Sequence, residues 1–129
     1  MAGGPGSYVF GEEERKELMD VINSGYLFRY GTEGADGFQH KVASFETELA
    51  QRLGLKHATA TSSGTGALLC CLAALGIGAG DEVIVPSLTF VATANVVVYV
   101  GAKPVFVDSR YDDWNLDPEL LERAITPAT

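Results

Sequence analysis

Five consecutive residues, Ser62, Ser63, Gly64, Thr65 and Gly66, have the composition of an anion cradle. They stand between a short strand-like run, His57 to Thr61, and a strongly apolar stretch from Ala67 that reads as a helix. The start of a helix leaves its first backbone N–H groups unpaired and carries the positive end of the macrodipole. Glycine lets a phosphate approach that backbone closely, and the hydroxyls of Ser62, Ser63 and Thr65 add donors. The same residues also suit a plainer task, because Ser63 or Thr65 can cap a helix with no ligand present. From the loop alone both readings stand.

Other candidates are weaker at the level of residues. Phe90 opens a helical stretch, where an aromatic is ordinarily part of the core. Tyr26, Arg29 and Tyr30 lie in an aromatic connector that can be simple packing. Gly76, Gly78 and Gly80 invite a dinucleotide-binding reading, but that fingerprint follows a strand and opens a helix. Here the glycines follow a helix and precede a strand, so they predict a helix stop and a turn. His40 and His57 lack metal spacing, His40 reading as a solvated helix residue and His57 as a strand edge. No metal site is expected.

The elements that must position these residues alternate in an ordered way. Leu18, Met19 and Ile22 share one face of a helix over Glu12 to Ser24, with Glu12, Glu13 and Glu14 in its first turn to complement the dipole. An aromatic connector and a Gly-rich loop, Gly31 to Gly37, follow. Phe38, Val42, Phe45, Leu49 and Leu53 recur at helical spacing, and Gly54 stops that second helix. After the strand His57 to Thr61 and the loop comes a nearly all-apolar helix, Thr65 to Leu75, expected to be buried on most sides. Glu82 to Val85 predicts a strand closed by Pro86, Thr89 to Val100 a helix, and Lys103 to Val107 a second buried strand. Val96 to Val100 is rich in β-branched residues, yet a crossover is needed there and the segment is read as helical. Asp117 as N-cap and Pro118 at the first helical position open a last helix through Ala124. This β-α-β-α-β order implies an α/β fold with helices on both faces of a mostly parallel sheet.

Composition bounds the function. At 129 residues and 47% hydrophobic the chain can bury a modest core. The net charge of −8, from 17 acidic against 9 basic residues, argues against nucleic acid or an anionic membrane as a partner. Cys70 and Cys71 are adjacent within an apolar run, without a CxxC or histidine pattern, which predicts reduced core residues of a cytoplasmic protein. Met1 to Ser7 has neither a basic stretch nor an apolar core, so no secretory leader is expected. No apolar run reaches membrane-spanning length.

The succession SSGTGALLCCLAALGIGAGDEVIVPSLTFVATANVVVYVGAKPVFVD, Ser62 to Asp108, closely resembles the DegT/DnrJ/StrS family of pyridoxal-phosphate-dependent sugar aminotransferases. The upstream SGYLFRYG and FETELAQRLGLKHA and the terminal NLDPELLERAITPAT resemble it too, so the likeness covers nearly the whole chain. It implies part of the large domain of a type I aminotransferase fold. Residues 1–36 would be a tail, helix and connector, and 37–129 the N-terminal portion of the cofactor-binding domain. By the resemblance Gly64, Thr65 and Gly66 hold the phosphate of pyridoxal 5'-phosphate, and Phe90 stacks on its ring. Tyr26, Arg29 and Tyr30 match a segment near the substrate mouth, often across a homodimer interface. The implied reaction moves an amino group from glutamate or glutamine to a keto-sugar or keto-cyclitol, often nucleotide-linked.

Family catalysis also uses a lysine that bonds the cofactor covalently and an aspartate that pairs its ring nitrogen. Lys16, Lys41, Lys56 and Lys103 lie in no segment resembling that lysine motif, so no catalytic residue is assigned here and these residues alone are expected to be inactive. A deoxysugar dehydratase relative, with histidine in place of the lysine, is the alternative within the same fold. A non-catalytic binding or interaction module is the alternative outside it.

Overall fold

Local signals set most of the helices in the computed structural model, which describes Gly4, residues 6–31, Gly34, Ala35 and residues 37–129. The chain divides into two compact units, Met1–Ala60 and Thr61–Thr129. Part of the expected Gly-rich loop and most of the small-residue segment at the start lie outside the described residues.

In the first unit a short 3-10 turn, Ser7–Val9, precedes α1, Glu12–Ser24. The Gly11 N–H donates to the Glu14 carboxylate at 2.7 Å, one arm of a capping box. That bond holds the Glu14 carboxyl below its ordinary pKa. The second helix, α2, spans Lys41–Leu53 and ends at Gly54 as expected. Phe38 falls short of it, its ring lying 5.0 Å from that of Tyr26 and 4.1 Å from that of His40. His40 is therefore not on a solvated helix face. Half-buried at φ 52°, it turns the chain into α2. Lys41 pairs with Glu17 and Asp20 and so ties α2 to α1.

The second unit carries α3 (Gly64–Ala74), β1 (Glu82–Pro86), α4 (Ala92–Tyr99), β2 (Lys103–Val107) and α5 (Pro118–Ala124). β1 and β2 pair in parallel, from Glu82 opposite Lys103 to Pro86 opposite Val107, and α4 is the crossover between them. The core is Val85, Val97 and Ala102, with Leu72, Ile77, Val83 and Val100 packed against it. Val96 and Val97 are buried at 3% and 1% exposure, so packing overrides their weak helix propensity. After α3, Gly76 adopts φ 74° while Ile77 N–H reaches back to the Leu72 carbonyl at 3.0 Å, the predicted helix stop. The Asp117 side chain accepts from Glu119 N–H and caps α5, also as predicted.

Other expectations change as well. His57 to Thr61 forms no strand, and the sheet among the described residues has two strands rather than three. A strand exists only through a neighbour's hydrogen bonds, and nothing described pairs with this segment. The apolar helix α3 contains no buried residue, and Cys70 and Cys71 are exposed rather than in the core. Leu68 and Leu75, at 44% and 75% exposure, likewise lack the cover that their sequence predicts. Finally α4 starts at Ala92 instead of Thr89, because residues 87–91 are spent carrying the chain from the strand end into the helix.

No helix among the described residues is long and apolar enough to cross a membrane.

Candidate functional site

The loop resolves into a helix start. Ser63 is the N-cap of α3, in extended conformation, and its Oγ accepts from Gly66 N–H at 3.0 Å. Its carbonyl accepts from Ala67 N–H at 3.0 Å, and the Thr61 hydroxyl donates to the same carbonyl at 2.9 Å. The plainer reading of the loop is thus realised in Ser63. It does not exhaust the donors. Gly64 and Thr65 are the first two helical residues, and their N–H groups take no partner among the described residues. The Thr65 hydroxyl is free in the same way, although the residue is half-buried.

Two unpartnered N–H groups at the positive end of an eleven-residue helix are what an anion cradle at this loop would require. Glycine matters here for access. A Cβ built on Gly64 meets no atom within 4 Å, so the position beside the first of these donors is open. On Gly66 a Cβ would press on Ser63 Oγ at 3.3 Å, so the methylene-only backbone there protects the cap.

Phe90 lies in the same unit, on the linker between β1 and α4. It is 76% exposed, so the described residues give it no core role. Its carbonyl accepts from Thr93 N–H at 3.0 Å, and Thr89 Oγ1 lies 3.0 Å from Thr93 Oγ1, so the far end of the linker is tied to the first turn of α4.

Tyr26, Arg29 and Tyr30 belong to the first unit. The Arg29 guanidinium pairs with Glu46, whose carboxylate also accepts Ala60 N–H at 2.7 Å. The guanidinium carbon sits 5.1 Å above the Tyr30 ring, a cation–π geometry. Tyr26 is half-buried against Phe38, whereas Tyr30 is 76% exposed. Arg29 therefore has its charge committed inside the unit, and Tyr30 is the member of the trio free to meet a ligand.

Three of the four lysines, Lys16, Lys41 and Lys103, are engaged in ion pairs. Lys16 and Lys41 have pKa values raised by Asp20 and by Glu17 respectively, the reverse of what an amine attacking a carbonyl needs. Lys103 is paired with Glu82 at 2.8 Å. Among the described residues no group of three metal-ligating side chains converges.

One contact escaped the reading of the sequence. Ser87 Oγ donates to Asp108 Oδ1 at 2.9 Å, joining the residues that directly follow β1 and β2. The signal was present, since pairing the two strands in register sets these residues opposite each other.

Comparison with known proteins places these features in context. The model of the DegT/DnrJ/EryC1/StrS aminotransferase family matches residues 9–129. GDP-perosamine synthase of Caulobacter vibrioides is 53% identical over 116 residues, covering 90% of this chain and 29% of its own. UDP-2-acetamido-2-deoxy-3-oxo-D-glucuronate aminotransferase of Pseudomonas aeruginosa is 51% identical over 118 residues, covering 92% and 33%. Among solved structures, Streptococcus pneumoniae Spr1654, described as a sugar aminotransferase and solved in PLP and PMP forms, superposes with a TM-score of 0.81. It shares 36% identity and covers 93% of this chain and 28% of its own. The chain spans no more than about a third of the length of these relatives.

Proposed function

We propose, for a chain that belongs to the DegT/DnrJ/EryC1/StrS aminotransferase family, that it supplies one wall of a pyridoxal-phosphate site in a sugar aminotransferase. Residues 37–129 would be the N-terminal portion of the cofactor-binding domain. The observation that carries this reading is the pair of unbonded N–H groups of Gly64 and Thr65 at the capped start of α3, with room at the Cβ position of Gly64. They fit a phosphate: two directed donors, a helix dipole and an unengaged hydroxyl. The exposed Phe90 offers the flat apolar face that the cofactor ring would need. When bound, the cofactor supplies a conjugated ring that takes up the electron pair released at the substrate carbon. The work of this chain's residues is to bind and orient: α3 fixes the phosphate, and Phe90 fixes the plane of the ring.

The relatives support a choice of acceptor class. One is named as a GDP-perosamine synthase and one as the aminotransferase of a UDP-linked oxo-sugar, which supports a nucleotide-linked keto-sugar as acceptor; the amino donor in this reading is glutamate or glutamine. In this reading Tyr30 faces the acceptor and Arg29, locked on Glu46, holds the Tyr30 ring from behind. The working protein is a cytoplasmic homodimer.

The reading is tested on the full-length protein. Supplied with pyridoxal phosphate, it should acquire a visible absorbance band that borohydride bleaches, and a protein that never acquires the band does not hold the cofactor in this way. Thr65→Ala removes a hydroxyl donor to a charged group, worth about 1.5–3 kcal/mol, so cofactor affinity should fall roughly tenfold or more. An unchanged dissociation constant would leave Thr65 a helix residue only.

Phe90→Leu keeps apolar bulk but loses the aromatic face, worth about 0.5–1.5 kcal/mol beyond burial. Titration should show affinity lowered by roughly two- to tenfold, with slower turnover. If both are unchanged the ring plays no part in binding.

The 129 residues in isolation are expected to transfer no amino group and to associate, with Leu68, Leu75, Val98 and Tyr99 exposed. Amino-transfer assays and light scattering decide this. Turnover at ordinary enzymatic rates would place the covalent lysine among Lys16, Lys41, Lys56 and Lys103.

A further inference from the structure

We propose that Ser87 and Asp108 are positioning residues for Phe90, a clamp across the ends of the two strands that sets the plane of the ring. The inference rests on the cofactor reading above and deepens it.

Phe90 cannot position itself. With 76% of the residue exposed, its ring gains little orientation from packing, so its direction is inherited from the backbone of the linker 87–91. That linker has two anchors. At the α4 end, Phe90 carbonyl accepts from Thr93 N–H. At the strand end, both bonds come from Ser87. Its N–H donates to the Val107 carbonyl at 2.9 Å and continues the parallel ladder one step past Pro86. Its hydroxyl donates to Asp108 Oδ1 at 2.9 Å.

Asp108 is itself held, because its carbonyl accepts Asp117 N–H at 3.0 Å from the residue that caps α5. The clamp therefore ties the linker to the end of β2 and to the base of α5. Pro86, the last residue of β1, has no N–H to give, so the ladder bond at Ser87 and the side-chain bond beside it carry the anchoring at this end. A hydrogen bond to a carboxylate is the stronger kind and fixes direction as well as distance.

The experiment is a double-mutant cycle in the full-length protein, Ser87→Ala combined with Phe90→Leu, read by pyridoxal phosphate titration and by visible circular dichroism of the bound cofactor. Ser87→Ala is expected to weaken cofactor affinity about three- to tenfold and to change the dichroic band, since the ring plane is lost along with the anchor. In the Phe90→Leu background the same substitution should change affinity by less than about twofold, because there is no ring left to position. Ser87→Thr, which keeps the hydroxyl, should restore both readouts. Asp108→Ala should repeat the Ser87→Ala result.

An equal loss in both backgrounds would show that Ser87 acts on the fold generally and would overturn the proposal. So would a wild-type dissociation constant in Ser87→Ala. Amide hydrogen exchange without cofactor separates this inference from the one beneath it. Residues 88–91 should exchange faster in Ser87→Ala than in wild type, with the core of β1 unchanged. Unaltered exchange overturns the clamp even where the protein binds cofactor. Accelerated exchange in a protein that binds none overturns the cofactor reading, and with it the role toward the ring.

Discussion

Gly64→Asp in the full-length protein is expected to abolish useful cofactor binding while leaving the fold as stable as before or slightly more so. Residue 64 is the first helical position of α3, its N–H has no partner, and a Cβ there meets nothing within 4 Å. A carboxylate in the first turn interacts favourably with the helix dipole, worth about 0.3–1 kcal/mol at exposed sites. The same negative charge opposes a phosphate in the cradle. At a separation of about 4 Å and an effective dielectric constant near 20, like charges repel by roughly 4 kcal/mol, or about a thousandfold in affinity before salt screening. Thermal unfolding without cofactor and titration with it should therefore move in opposite directions. If affinity falls because the melting temperature falls, position 64 is structural. If affinity holds while stability rises, the phosphate binds elsewhere and the helix start is only a cap.

Val97→Asp is expected to unfold the second unit. Val97 is 1% exposed and forms the core with Val85 and Ala102, so an aspartate there would be a buried charge with no partner. Such a group costs about 3–5 kcal/mol or more, against a total stability of about 5–15 kcal/mol for a typical domain. Cooperative thermal unfolding should be lost or shifted down by many degrees, and retention of the wild-type transition would move the core away from α4. The adjacent Val98→Asp is the contrast. Val98, one residue further along the same helix, is 57% exposed, and its change should cost only a few tenths of a kcal/mol in the isolated 129 residues. Should Val98→Asp prove as damaging as Val97→Asp in the full-length protein, Val98 is covered there.

The sequence by itself determined the features whose hydrogen bonds are local. Helices α1 and α5 start and stop at the residues their caps predict, α3 does so within one residue, and α2 ends at Gly54. Each such boundary depends on side chains and glycines within about one turn, and these are read directly from the chain. The strands at Val83 and Val105 were legible because β-branched runs closed by Pro86 and Asp108 allow little else. The helix start at Gly64 and Thr65 was legible for the same local reason.

Tertiary structure decided whatever depends on a distant partner. His57 to Thr61 has strand-like composition but no ladder, because pairing is made by another segment. Cys70, Cys71 and Leu75 are apolar or nearly so yet exposed, because burial is a property of what lies opposite and not of the residue. His40 left the helix because its ring packs on Phe38 at the α2 start. Phe90 was indistinguishable from a core aromatic until its 76% exposure was known. The bond from Ser87 to Asp108 joins residues 21 apart, and only the parallel register of β1 and β2 brings them within reach.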